Sequence, residues 1–308
     1  MSSDAVRLFD GRASDLPGWT IDRYGPIALI QHFGRDDADP ELLAKFVADL
    51  LSRADVEAVV LKERGHANRS RGEGRLVGGI LPERCSTDPL AERRGRVVIE
   101  EDGLRFGADL LYGTNTGLFL DARPMRALVR EKAADRRVLN LFSYTSGFGV
   151  AAMKGGAASA TNVDIVPSAL ERGRVNYSLN GLAADTRSHA RSDVFEFLRR
   201  ASKRGTTWDL VICDPPPVPT VGSRKRRGGG FDPRQDMGKV LRLAWSVVAP
   251  GGGLLAMSAV RGRERFEDVL RRVLEEDALD VTPQRIDRAP EFPGAEGLRG
   301  YWIEKPAS

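Results

Sequence analysis

From residue 137 onward, short apolar runs alternate with amphipathic stretches of helical period, and this alternation constrains the fold more than any other feature. "RRVLNLFSY" (136–144), "SATNVDI" (159–165), "WDLVICD" (208–214) and "GLLAMSA" (253–259) read as buried strands. Between them, "PSALERGRVNYSLNG" (167–181) reads as a helix, with Pro167 in its first turn and Gly181 past its end. "RQDMGKVLRLAWSVVAPGGG" reads as a helix closed by Pro-Gly, and "FEDVLRRVLEE" (266–276) as another. Strands separated by helices imply a mostly parallel, doubly wound sheet with helices on both faces. Ligands of such sheets bind beyond the carboxyl ends of the strands, where strand order reverses.

The first hundred residues follow another pattern. "GWTIDRYGPIALIQHF" (18–33) suggests two strands turning at Gly25-Pro26. "DPELLAKFVADLLSR" (39–53) has a helical period, with Asp39 as the cap and Pro40 at the first position. "VEAVVLKER" (56–64) returns as a strand. The expected organisation is therefore a small α+β domain over 1–100, a connecting stretch over 101–136 and an α/β domain over 137–308. At 308 residues the chain can build two cores.

Several classes are disfavoured. No apolar run approaches the roughly 18 residues of a membrane span, and the N-terminus lacks a secretory pattern. Cys85 and Cys213 lie far apart, and His32, His66 and His189 are scattered, so no metal site is expected and a reducing cytoplasm suits the chain. The net charge of +4 permits a nucleic-acid partner. Its distribution says more, because Arg224, Lys225, Arg226 and Arg227 form one basic block followed by Gly228, Gly229 and Gly230. Such a block beside a binding site suits a mobile arm that grips RNA phosphates.

Three features fall at strand ends. The first strand runs into the small-residue loop "FSYTSGFG", the second ends at Asp164, and the segment before "VFEFLRR" ends at Asp193. A loop of small residues lets a ligand approach the backbone, and the next helix start offers free N–H groups. Asp164 lies about 20 residues past the loop, a spacing suited to ribose hydroxyls. Asp193 suits a nucleoside amino group. The loop lacks G-x-G-x-x-G, so a dinucleotide fits poorly and a nucleoside cofactor without phosphates fits better.

The run "VLNLFSYTSGFGVAA", Asp164, "NYSLNGL" and "DLVICDPP" resembles the class I S-adenosylmethionine (SAM) methyltransferases that act on RNA, whose sheet is Rossmann-like. "TGLFLDARPMR" (116–126) resembles the hairpin ahead of this domain in bacterial 23S ribosomal RNA large-subunit methyltransferases. Two subgroups share it, the cytosine-C5 enzymes and the guanine-N7 half of a bifunctional enzyme. "VRLFDGRASDLPGWTIDRYG" and the ending "APEFPGAEGLRGYWI" are more similar to the second. The resemblance implies that Ser143, Tyr144, Thr145 and Gly147 line the methionine end of SAM, that Asp164 holds the ribose and Asp193 the adenine, and that Phe119, Asp121 and Arg123 close over the cofactor. It also implies 23S rRNA, free or in an assembling large subunit, as partner. Ser146 stands where the family often has glycine, and Ala259-Val260 where polar or cysteine residues commonly follow.

In "DPPP", Asp214 is followed by three prolines. Proline fixes φ and donates no hydrogen bond, so Pro215 and Pro216 hold their carbonyls in set directions. Methyl transfer requires alignment, and positioning alone supplies roughly 7–11 kcal/mol of barrier reduction. Asp214, Pro215 and Pro216 are therefore the expected acceptor cradle. A C5 acceptor needs a thiolate. Cys213 lies within a buried strand facing away from Asp214, so guanine N7 is the expected acceptor. The alternatives are a cytosine-C5 enzyme, a small-molecule methyltransferase, or a catalytically silent RNA-binding assembly factor.

Overall fold

The computed structural model describes residues 3–65, 73–82, 96–185, 188–220, 230–260, 265–276, 281–293 and 297–307. The chain divides into two compact units, Met1–Asp121 with Ala289–Gly294, and Ala122–Arg288 with Ala295–Ser308. The division at Asp121/Ala122 falls later than the expected boundary near 100. Backbone and side-chain bonds tie residues 100–116 to the first unit: Asp4 N–H donates to the Glu100 carbonyl at 3.1 Å, Lys62 Nζ to the Gly113 carbonyl at 2.8 Å, and Tyr24 and Thr116 share a hydroxyl bond of 3.1 Å.

The first unit holds β1 (Ala5–Asp10), β2 (Trp19–Tyr24), β3 (Ile27–His32), α1 (Pro40–Leu51), β4 (Ala58–Glu63) and β5 (Arg75–Gly79). They make a five-stranded sheet in that strand order, with β3 and β4 parallel across the α1 crossover. Tyr24 pairs with Ile27, so the β2–β3 turn falls at Gly25-Pro26 as expected, with Gly25 at φ 57°. Asp39 caps α1 by accepting from Leu42 N–H at 2.9 Å. The Phe46 ring on α1 lies 5.5 Å from Trp19 and 5.6 Å from Phe9, seating the helix on the sheet. A separate hairpin follows, β6 (Arg96–Glu101) and β7 (Leu104–Asp109).

The second unit runs α2 (Arg123–Lys132), β8 (Arg137–Leu141), α3 (Gly147–Lys154), β9 (Ser159–Asp164), α4 (Pro167–Leu179), β10 (His189–Arg191), α5 (Val194–Lys203), β11 (Trp208–Cys213), α6 (Pro233–Ser246), β12 (Val248–Ser258), α7 (Phe266–Glu276), β13 (Gln284–Ile286) and β14 (Arg299–Glu304). Its seven strands lie in the order β10-β9-β8-β11-β12-β14-β13, parallel from β10 to β12, with β14 antiparallel to both neighbours. Alternation along β11 feeds both faces. Val211 and Cys213 pack under α5, α6 and α7, while Leu210 and Ile212 pack under α2 and α3. This is the doubly wound, mostly parallel α/β sheet that the alternation requires.

One boundary differs from expectation. "VAPGGG" belongs to β12, since α6 stops at Ser246 and the strand opens at Val248. The β-branched pair Val247-Val248 and Pro250 disfavour helix here. A register shift opposite Trp208–Leu210 and Gly251 at φ 72° accommodate the extra residues as a bulge. Among the described residues no helix is long and apolar enough to cross a membrane.

Candidate functional site

Register places the site. Leu141 on β8 pairs with Val163 on β9 and with Cys213 on β11. The next residues are Phe142 and Asp214, just past β8 and β11, and Asp164, the last residue of β9, so the three stand side by side at this end of the sheet. They do so where the chain order reverses, with β9 on one flank of β8 and β11 on the other.

The loop after β8 is strained. Phe142, Tyr144 and Ser146 all sit in the left-handed region, at φ 55°, 47° and 60°. Each such non-glycine residue costs about 1–2 kcal/mol. The loop is held by Ser143 N–H to the Val163 carbonyl at 3.0 Å, by Tyr144 N–H to Asp164 Oδ2 at 2.8 Å and by Ser146 N–H to the Ser143 carbonyl at 2.7 Å. Strain fixed in this way clusters at functional sites. Thr145 is buried, and Gly147 opens α3. The Ser143 and Ser146 hydroxyls are buried with no hydrogen-bond partner among the described residues.

Ser146 carries both a left-handed φ and an orphaned hydroxyl. Ser146→Gly is therefore expected to raise stability by about 0.5–1 kcal/mol, the relieved strain less the added backbone entropy of glycine, read as a higher thermal midpoint. A lower midpoint would show that packing of the serine side chain outweighs the backbone strain.

Asp164 accepts with both oxygens, Oδ2 from Tyr144 N–H and Oδ1 from Val166 N–H at 2.9 Å. Burial pushes its pKa above the usual carboxylate value, and these N–H groups offset only part of that. Asp193 is the N-cap of α5, accepting from Glu196 N–H at 3.0 Å. Asp214 is half-buried, Pro215 buried and Pro216 half-buried. The expectation that Cys213 is sealed holds: it is 0% exposed, and burial, with the nearby Asp214 charge, drives its thiol pKa far up. Cys85 lies outside the described residues.

Phe231 does not offer a free stacking face. It is buried edge-on to Phe142, ring centroids 5.2 Å apart, and stacked on Phe195 at 6.3 Å. The stem of the basic segment is tied, with Thr220 N–H to the Phe231 carbonyl at 3.0 Å and Phe231 N–H to Thr220 Oγ1 at 2.9 Å. Arg224, Lys225, Arg226 and Arg227 themselves lie outside the described residues. Phe119, 48% exposed, and Asp121 fall in the first unit, while Arg123 opens α2 in the second. Among the described residues no group of three or more His, Cys, Asp or Glu could hold a metal ion.

Sequence reasoning missed a buried polar network under the loop. Asn140 Nδ2 donates to Asn162 Oδ1 at 2.9 Å, and Asn162 Nδ2 to the Tyr177 hydroxyl at 2.8 Å. Asn176 Nδ2 donates to the Thr145 carbonyl at 2.8 Å, joining α4 to the loop. Gly149 makes room, since a Cβ there would stand 2.2 Å from Asn162 Oδ1. The available signal was an asparagine inside each of two apolar strands, "VLNLF" and "TNVD".

A strand-order reversal flanked by the Asp164 and Asp214 carboxylates, with an orphaned Ser143 hydroxyl and no phosphate-binding glycine signature, fits a nucleoside cofactor. The chain belongs to the S-adenosylmethionine-dependent methyltransferase family, whose model matches residues 51–302, and its cofactor is SAM. It is 32% identical over 275 residues to the ribosomal RNA large subunit methyltransferase I of Aeromonas salmonicida, covering 89% of this chain and 65% of that protein. To the protein of the same name from Shewanella amazonensis it is 30% identical over 305 residues, covering 97% and 72%. The chain thus spans about two thirds of the length of these relatives. In fold it is similar to a protein described as a SAM-dependent methyltransferase from Streptococcus mutans, with TM-score 0.79, 23% identity and coverage of 98% and 75%. It is also similar to a methyltransferase solved with S-adenosylhomocysteine, with TM-score 0.78, 23% identity and the same coverage.

Proposed function

We propose that this protein transfers a methyl group from SAM to guanine N7 of 23S ribosomal RNA, in the cytoplasm, on free rRNA or an assembling large subunit. RNA as substrate is supported by the names of its relatives, ribosomal RNA large subunit methyltransferase I. The N7 acceptor rests on one observation, the sealed thiol of Cys213. Cytosine C5 is a poor nucleophile and requires a cysteine thiolate to add to the ring. β12 ends at Ser258 and is followed by Ala259-Val260, which supply no thiol either. Guanine N7 carries a lone pair and no proton, so it needs no covalent activation.

SAM supplies a methyl group on a positively charged sulfur. The protein's tasks are to extrude the base, at a cost of roughly a few kcal/mol, and to align N7 with the methyl carbon and the leaving sulfur. As N7 bonds to the carbon, the carbon–sulfur pair returns to sulfur and the guanine ring takes the positive charge. In this reading Asp214 accepts from the guanine N1–H or amino edge and stabilises that charge, and the Pro215 and Pro216 carbonyls complete the cradle. Asp164 accepts from the ribose hydroxyls. The Asp193 oxygen not engaged by Glu196 accepts from the adenine amino group. Ser143, Tyr144, Thr145 and Gly147 flank the methionine end. The block from Arg224 to Arg227, four adjacent cations, grips phosphates.

The competing reading is a cytosine-C5 enzyme, and a silent RNA-binding assembly factor is the reading outside catalysis. The double variant Cys85→Ala/Cys213→Ala separates them. It is expected to retain most methyl transfer from tritiated SAM to 23S rRNA. A folded double variant with no transfer, beside an active wild type, would move the acceptor to C5. A wild type that binds rRNA without SAM and transfers nothing would leave only the assembly factor.

A further inference from the structure

The acceptor cradle has a basic neighbour. α6, α7 and the carboxyl end of β12 enclose a groove of about 670 Å³, within the size range of small-ligand sites. Arg234, Lys239 and Arg242 from α6 and Arg272 from α7 stand among its described lining residues. Met237 and Phe266 give it an apolar floor. Lys239 also meets Asp236 at 3.2 Å, an exposed pair of little energetic weight. Ser258 also lines it. Because Cys213 pairs with Ala256 in parallel register, Ser258 and the Asp214-Pro215 segment leave adjacent strands at the same edge of the sheet.

We propose that this groove binds the nucleotide next to the methylated base, with its phosphodiester on the four cations and its sugar and base against Met237 and Phe266. The inference rests on the reading of this protein as an RNA methyltransferase. A base swung out of its stack carries its flanking phosphates with it, so an enzyme holding that base needs cations a nucleotide away. A lone inorganic anion would leave most of the groove empty. A strand with a charge at every nucleotide matches cations spread over two helices. Gly238 keeps the wall low: a Cβ there would meet Val273 Cγ2 at 3.9 Å and Arg242 Nη1 at 4.0 Å, ordinary contacts, whereas a large side chain would fill the groove.

The test uses the full chain and transcribed 23S rRNA fragments. The charge reversal Arg234→Glu/Lys239→Glu, on two exposed positions, is expected to weaken RNA binding at least tenfold near 0.1 M salt. It should also flatten the plot of log affinity against log salt by about 0.7 for each phosphate no longer neutralised. Gly238→Phe, which removes no charge, is expected to weaken RNA binding about tenfold by obstruction. In both variants SAM affinity should stay within about twofold of wild type, showing that the sheet and cofactor loop are intact. Variants that bind SAM normally, with unchanged RNA affinity and salt slope beside a wild type that methylates RNA, would overturn the groove assignment alone. They would leave the groove to some other acidic partner. A wild type that methylates no RNA would overturn the parent reading, and the groove assignment with it.

Discussion

Asp164→Ala is expected to lower SAM affinity roughly a hundredfold while RNA affinity changes little. A charge-assisted hydrogen bond contributes about 1.5–3 kcal/mol, which alone is ten- to hundredfold. The expectation sits at the upper end because Asp164 does more than face a ligand. Its Oδ2 fixes Tyr144 N–H at 2.8 Å, and Tyr144 is one of the three left-handed residues of the loop. Without that anchor the loop can relax to unstrained conformations that no longer flank the cofactor. Asp164→Asn, with one acceptor oxygen left, should fall in between. Protonation has the same sense as substitution. Burial holds the Asp164 pKa above the ordinary value, so affinity should begin to fall on acidification before exposed carboxylates titrate. Calorimetry showing wild-type SAM affinity in Asp164→Ala would remove Asp164 from the cofactor site.

Asp214→Ala is expected to reduce kcat for methyl transfer by about 10²–10³, the usual loss when one preorganised charge-stabilising group is removed. SAM affinity should be nearly unchanged. Asp214 is the residue after Cys213, at the end of the strand adjoining β8, and the rigid prolines follow it directly. N7 gains positive charge only as the bond to carbon forms, so a carboxylate on the guanine edge acts mainly in the transition state. The loss should therefore appear in kcat more than in the KM for RNA. A folded Asp214→Ala protein that transfers within a few fold of wild type would take Asp214 out of the cradle.

The second unit was readable in the sequence because a parallel sheet buried on both faces must be written as apolar runs separated by helical periods. "WDLVICD" could be little else, and Asp164 and Asp214 follow from where those runs stop. The first unit was less readable. β1, "AVRLFD", is mostly half-buried and β5, "RLVGG", mostly exposed, so neither shows the alternation of a half-buried strand. The unit division escaped because it depends on long-range bonds from Gly113 and Thr116 to Lys62 and Tyr24, which leave no local pattern. In the candidate site, the sequence placed Asp164 and Asp214 at strand ends but did not show what holds the loop. Asn140, Asn162 and Asn176 look like interruptions until the fold brings them to Tyr177 and the Thr145 carbonyl. The strain at Phe142, Tyr144 and Ser146 is likewise invisible in a stretch with no glycine at those positions.

The nucleoside formed on 23S rRNA distinguishes transfer to guanine N7 from transfer to cytosine C5. Wild-type protein, SAM and unmodified transcript are combined, the RNA is digested to nucleosides, and the methylated product is identified by mass and chromatography against standards. Transfer to N7 yields 7-methylguanosine, with borohydride–aniline cleavage of the intact RNA at a single position. Recovery of 5-methylcytidine would contradict it.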